Sequence, residues 1–255
     1  MTEPVPGLDD LAAMLAGAWE RAEAVPAPSR LRPETDLEDA YRIQEMVVGQ
    51  RMAAGRRMAG WKMGLTSSPD SQPIVGTLLD DMVVPSGVVL DPAGMVAPLV
   101  EAELVFVVGE TIPAGSGIDD IARGDHRVAA GLEVIDYRTV DSDGVVDWVA
   151  DNSTVAYAVM GEPRALAEVA PLTSIGVELF SGAESLATGA GSLVMGEPLR
   201  AIAWLADHLA GRGLVLEAGA VVLTGSLTGH HRVTPGSVYR ASFDRLGEVT
   251  ATFTT

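Results

Sequence analysis

Val100-Glu101-Ala102-Glu103-Leu104-Val105-Phe106-Val107-Val108 is the stretch on which the fold turns. Read as a strand, its period of two puts Glu101 and Glu103 on one face with Val105 and Val107. Ala102, Leu104, Phe106 and Val108 take the other face. Both faces are apolar at the far end, so the strand is predicted to be buried on both sides. Two carboxylates entering such a layer cannot stay ionised unpaired, because burying a bare charge is costly. A divalent cation is one natural counter-charge. A Glu-x-Glu by itself is a weak pattern, since the solvent-facing end of an ordinary strand reads the same way.

Outward from this stretch the texture stays β-like. Short apolar runs separated by Gly, Pro and Asp predict strands near Trp61–Leu65, Val88–Leu90, Leu132–Asp136, Thr154–Met160, Ile175–Phe180, Val221–Thr224, Val238–Phe243 and Val249–Phe253. One helix interrupts them, with Pro198 at its first position, Ile202, Leu205 and Leu209 on one face, and Gly211 and Gly213 as stop signals. The N-terminal part is helical instead. Leu8, Leu11, Leu15, Trp19 and Ala22 form one apolar face, Val25-Pro26-Ala27-Pro28 breaks it, and Thr35-Asp36-Leu37-Glu38 has the form of a capping box. Many strands with few helices between them exclude a doubly wound βαβ fold. The expectation is an α+β chain: an N-terminal helical segment over residues 1–57 and a mixed β-roll or barrel over 58–255.

A third carboxylate strengthens the metal reading. Gly131-Leu132-Glu133-Val134-Ile135-Asp136 is an apolar strand in which Glu133 and Asp136 point to opposite faces, so at most one joins Glu101 and Glu103. The chain has no cysteine. An all-oxygen site favours Mg²⁺ or Mn²⁺ over Zn²⁺. Three carboxylates around a divalent cation leave one negative charge, so an anionic substrate needs a further cation. Lys62, in Gly60-Trp61-Lys62-Met63-Gly64-Leu65-Thr66-Ser67, is the candidate. Its alternative is an ordinary edge-strand lysine.

Composition narrows the function classes. The chain has 255 residues, with 17 Lys+Arg against 35 Asp+Glu and a net charge of −18. So acidic a protein is a poor binder of nucleic acid or of an anionic membrane surface. No apolar run reaches the ~20 residues of a membrane span, and Met1-Thr2-Glu3-Pro4 lacks the basic start of a signal peptide. The expectation is a soluble cytoplasmic protein. His230-His231 read as a solvated loop, Gly109–Gly117 lacks the spacing of a phosphate or dinucleotide loop, and Ser226 lacks a nucleophile elbow.

Taken together, six segments in order resemble the 2-hydroxypenta-2,4-dienoate hydratase and 4-oxalocrotonate decarboxylase group of the fumarylacetoacetate hydrolase superfamily. They are Gly60–Ser67, Val100–Glu103, Leu132–Asp136, Ala150-Asp151-Asn152-Ser153, Leu223-Thr224-Gly225-Ser226 and Leu246-Gly247-Glu248-Val249. The resemblance spans about Tyr41 to Phe253. It implies the superfamily's β-roll and a Mg²⁺- or Mn²⁺-dependent lyase acting on a small 2-oxo or 2-hydroxy unsaturated acid. It further implies Glu101, Glu103 and Glu133 as metal ligands and Lys62 as catalytic. An aspartate, Asp81 or else Asp80, is implied as a second catalytic group. Thr66, Ser67, Asn152, Ser153, Thr224, Gly225 and Ser226 are implied around the substrate. Relatives assemble into homo-oligomers, and hydratase and decarboxylase of one pathway can associate.

The chain also departs from that pattern. Ser68–Val75 is shorter than the corresponding loop, Tyr137 replaces a usual serine before Arg138, and Pro98-Leu99 stands where an arginine often precedes the acidic pair. Hydration of a 2-hydroxy-dienoate is the leading expectation. Decarboxylation of a 4-oxalocrotonate-like diacid stays open, as do hydrolysis of an acylpyruvate and a non-catalytic or repurposed biosynthetic role.

Overall fold

A computed structural model describes residues 5–142 and 144–255. The Met1–Pro4 start therefore lies outside the described residues. The acidic stretch is the middle of a ten-residue strand, Pro98–Val107, whose residues from Val100 to Phe106 are all buried. It runs antiparallel to a second ten-residue strand, Arg127–Asp136. Among the described residues the main sheet continues outward from this pair. On one side lie Val221–Ser226, then Met58–Gly64, then Ile74–Leu79; on the other, Val155–Met160 and Val83–Pro85. A second sheet orders Glu184–Ala190, Gly176–Ser181, Val238–Phe243, Gly247–Phe253 and Val88–Leu90.

The helical part is pinned to the sheets by apolar burial and by one aromatic ring. Leu11, Leu15, Ile43 and Val47 share a buried cluster with Trp61, Val75 and Val100. The guanidinium carbons of Arg51 and Arg138 each lie 4.2 Å from the centre of the Trp19 ring. Helix Leu8–Arg21 is thereby held against helix Leu37–Ala53 and against the segment after strand Arg127–Asp136. Arg138 is itself buried, and its Nε donates to Asp151 Oδ1 at 2.7 Å.

Local readings from the sequence differ from the structure in instructive places. Helix Leu37–Ala53 is capped by Asp36, whose side chain accepts from the Asp39 amide, one residue later than the capping box predicts. Thr35 Oγ1 instead donates to the Arg32 carbonyl. Strands Ile74–Leu79 and Glu184–Ala190 were not foreseen. The first is buried at every position, so it has no alternation to read, and the second has no fully buried residue and mixes small, polar and one large apolar side chain without a clear period. Helix Pro198–Gly211, with Pro at its start, matches its sequence signals.

Two glycines behave oppositely. Gly225 has φ +115°, and a Cβ there would meet Thr66 Oγ1 at 1.8 Å. Gly49 sits inside helix Leu37–Ala53 with open space around its missing Cβ. Gly225→Ala is expected to destabilise the fold by about 2 kcal/mol or more. Gly49→Ala should stabilise it by roughly 0.5–1 kcal/mol. Denaturant midpoints of the two variants test both signs.

Candidate active site

The strand register builds the acidic cluster. Glu101 lies directly across from Glu133, and Glu103 across from Gly131. Residues opposite one another in an antiparallel pair share a face, so all three carboxylates emerge together. Gly131 keeps that register closed, because a Cβ there would come within 2.4 Å of Val105 Cγ2. Lys62 reaches the same face from two strands away: it pairs with Leu223, which pairs with Val105.

One oxygen from each of Glu101, Glu103 and Glu133 can be chosen so that all lie within 4.8 Å of one another. Glu103 and Glu133 are 0% exposed, Glu101 6% and Lys62 5%. Lys62 Nζ stands 3.0 Å from Glu133 Oε1. The Gly225 amide donates to Glu103 Oε2 at 2.8 Å, aimed there by the positive φ that only glycine adopts easily. These two contacts do not satisfy the cluster. Glu103 Oε1 and Glu133 Oε2 are buried without a hydrogen-bond partner. Three close carboxylates with orphaned oxygens and no sulfur donor fit a hard divalent cation such as Mg²⁺ or Mn²⁺.

Electrostatics follow from this crowding. Burial by itself pulls the Lys62 ammonium down, but Glu133, Glu101 and Glu103 outweigh it and hold it above its ordinary value. Burial pushes the Glu133 carboxyl up and Lys62 pulls it back, leaving it at about 8. Burial, then the fields of Glu133 and Glu101, keep Glu103 well above the carboxylate range.

Lys62 and Glu101 line a cavity of about 250 Å³. Thr66, Ser67, Ser153 and Ser226 also line it, and Ser153 Oγ and Ser226 Oγ are buried without partners. Asn152, Thr224 and Gly225 do not line it; they brace it. Asn152 exchanges two hydrogen bonds with the Thr77 backbone, at 2.8 and 2.9 Å, and Thr224 Oγ1 donates to the Leu104 carbonyl at 3.1 Å. Leu65, Ile74, Ile135, Tyr137 and Trp148 make up the apolar part of its lining, and the exposed His230 lines it as well. His230, read from the sequence as part of a solvated loop, is indeed exposed, whereas Trp148 carried no sequence signal. Trp148 lies in the short helix Val145–Ala150 and carries no motif.

Asp80 and Asp81 are not brought to this cavity. Asp81 Oδ2 pairs with Arg51 at 2.6 Å and Arg56 at 3.1 Å, and Asp80 Oδ2 pairs with Arg57 at 3.2 Å. The reason is distance along the strand. Gly76 is the partner of Lys62, and Asp80 lies four residues further on, roughly 13 Å at 3.3 Å per residue. Asp136, the other acid of its strand, points away as expected and accepts from the Val96 and Ala97 amides.

A buried carboxylate cluster with a lysine beside it, carried on a mixed sheet, defines a metal-dependent enzyme of the β-roll type. The family model of the fumarylacetoacetate (FAA) hydrolase C-terminal region matches residues 53–254, and the chain belongs to that family. It is 34% identical over 254 residues to a 2-keto-4-pentenoate hydratase of Paraburkholderia phymatum, covering 96% of this chain and 97% of that one. It is 34% identical over 230 residues to a 4-oxalocrotonate decarboxylase of Pseudomonas putida, covering 87% of each. The 4-oxalocrotonate decarboxylase from Pseudomonas putida G7, solved in complex with magnesium and adipate, superposes with a TM-score of 0.91 at 32% identity. That superposition covers 96% of this chain and 97% of that chain.

Because the Glu133 carboxyl is held at about 8, with Glu103 raised beside it, the cation-free cluster retains a proton near neutrality that a cation must displace. Mg²⁺ affinity should therefore rise with pH, with proton release on binding. Calorimetry at about pH 6.5 and about pH 8.5, in buffers of different ionisation enthalpy, measures both effects. Glu103→Ala should weaken Mg²⁺ binding about tenfold or more. Affinity that is flat across this pH range would contradict the assignment of these carboxylates.

Proposed function

We propose that this chain is a Mg²⁺- or Mn²⁺-dependent lyase that hydrates a small 2-hydroxy-dienoate, or its 2-oxo tautomer. The observation that carries the reading is that Lys62 lies against the three-glutamate cluster and, with Glu101, lines one cavity. Hydratase relatives at 34% identity over nearly the whole chain support the reaction class. Glu101, Glu103 and Glu133 are the residues that would hold the metal. Bound there, it would supply Lewis acidity to the oxygens of a 2-oxo acid head.

The remaining work falls to the chain's own groups. Lys62 Nζ, kept protonated by the surrounding carboxylates, offers a charge for the substrate carboxylate and a proton for transfer. The unpaired hydroxyls of Ser153 and Ser226 offer hydrogen bonds to orient an oxygen-rich ligand. The apolar part of the lining offers contact for the rest of the substrate's carbon chain. Asp80 and Asp81 have no part in this scheme, since both are engaged by arginines elsewhere.

A cytoplasmic homo-oligomer completes the proposal. No helix among the described residues is long and apolar enough to cross a membrane. Met52, Met58, Leu214 and Val215 are each at least 40% exposed, and they lie around two adjoining cavities on the face behind Lys62. Light scattering of the purified chain tests the assembly.

Product analysis with Mg²⁺ and a panel of 2-hydroxy-dienoates is the decisive assay. Addition of water is the expected result, release of CO₂ would identify a decarboxylase, and cleavage into two acids a hydrolase. Lys62→Met should reduce turnover by about 10²-fold or more. Mg²⁺ affinity should be retained or raised in that variant, because a competing cation beside Glu133 is removed. Normal kcat in Lys62→Met would remove the lysine from the mechanism.

A further inference from the structure

From the charge and make-up of the cavity lining we infer that the natural ligand carries a single carboxylate, and that its other end is uncharged and bulky enough to lie against Tyr137 and Trp148. The inference rests on the metal-and-lysine reading of the head of the site and extends it to the tail. Three glutamates, one divalent cation and Lys62 together carry no net charge, so one substrate carboxylate already leaves the site at −1. A second carboxylate needs a further cation within the cavity. Among the described residues that line it there is no arginine and no lysine besides Lys62, and His230 is exposed.

What the lining offers instead is apolar surface. Leu65, Ile74 and Ile135 supply aliphatic contact. Tyr137 and Trp148 form an edge-on aromatic pair, with ring centres 6.5 Å apart and planes at 61°. A carboxylate placed against these side chains would lose its water and find neutral hydroxyls but no cation to match its charge, which is costly. An alkyl, alkenyl or aryl group would bury its surface against these rings. Tyr137 is half-buried with its ring in the cavity wall, and no hydrogen bond ties its hydroxyl to the described residues. A ring at this position takes up tail space that a smaller side chain would leave to solvent, so it selects by contact rather than by charge.

The test uses unreactive chelating 2-oxo acids that share one head and differ in their tails. Pyruvate, 2-oxohexanoate, 2-oxoadipate and 2-oxo-4-phenylbutanoate are titrated calorimetrically into the Mg²⁺-loaded protein. The expected order of affinity is 2-oxo-4-phenylbutanoate and 2-oxohexanoate above pyruvate. 2-Oxoadipate, of the same carbon number as 2-oxohexanoate, should bind at least about tenfold more weakly than it. Trp148→Ala and Tyr137→Ala should each lose more affinity for 2-oxo-4-phenylbutanoate than for pyruvate, and Tyr137→Phe should keep most of it. The ranking in the unaltered chain stands as a test whether or not the alanine variants fold. Binding of 2-oxoadipate as tight as that of 2-oxohexanoate would overturn the inference, and its loss in His230→Ala would identify this histidine as the missing cation. Pyruvate binding that does not depend on Mg²⁺ would bring down the reading of the head, and the tail inference with it. Mg²⁺-dependent pyruvate binding with the reversed tail ranking would bring down the tail inference alone.

Discussion

Three carboxylates forced onto one face of a buried sheet are the constraint around which this structure is organised. Like charges directly opposite one another in a strand pair are destabilising even at a surface, and here Glu101 faces Glu133 inside the sheet. No protein group nearby cancels all three. Lys62 supplies one positive charge and the Gly225 amide one hydrogen bond, so the cluster is incompletely matched and has oxygens to spare for a cation. A buried mismatch of this kind costs folding free energy wherever it occurs. Its natural explanation is a site whose matching charge arrives with a ligand.

Much of the backbone around the cluster serves that arrangement. Gly131 lets the two central strands close opposite Glu103, where a side chain would strike Val105. Gly60 does the same on the lysine strand, since a Cβ there would fall 1.8 Å from the Val221 carbonyl oxygen. The pairing of strand Val221–Ser226 shifts register between Leu223 and Ser226, which frees Gly225 from the ladder and turns its amide toward Glu103. Close strand approach and a locally broken ladder together put Lys62, Glu103 and Ser226 around one space.

The Glu101 and Glu103 half of the carboxylate cluster was legible in the sequence because strand periodicity and burial are both written locally. Glu101 and Glu103 lie two apart in an apolar run, and Glu133 lies inside a second such run. Which strands pair, and in what register, is a long-range matter, and it was the family resemblance that singled out Glu133 over Asp136. Asp80 and Asp81 illustrate the failure. Two adjacent acids beside a strand read like catalytic groups, yet only the register of Ile74–Leu79 against Met58–Gly64 reveals how far they lie from Lys62. That Trp148 and His230 line the cavity was hidden for the complementary reason. They reach the cavity from a short helix and a loop, where no period predicts which way a side chain turns.

This split between strands and connections also separates what the site can vary from what it cannot. The carboxylates and Lys62 stand on hydrogen-bonded strands, where moving one by a single residue would turn it to the opposite face. Much of the remaining lining comes from connections, and one of them is strained. Asn152, Ser153 and Thr154 all adopt left-handed backbone angles, with φ of 51°, 49° and 61°, at a cost of about 1–2 kcal/mol for each residue. Burial of all three and the paired hydrogen bonds between Asn152 and Thr77 hold this turn in place. The result is that Ser153 and Thr154 are presented to the cavity from an otherwise unfavourable conformation. Lys62 and the carboxylates on strands and a separately braced turn beside them make two parts of one cavity that can vary independently.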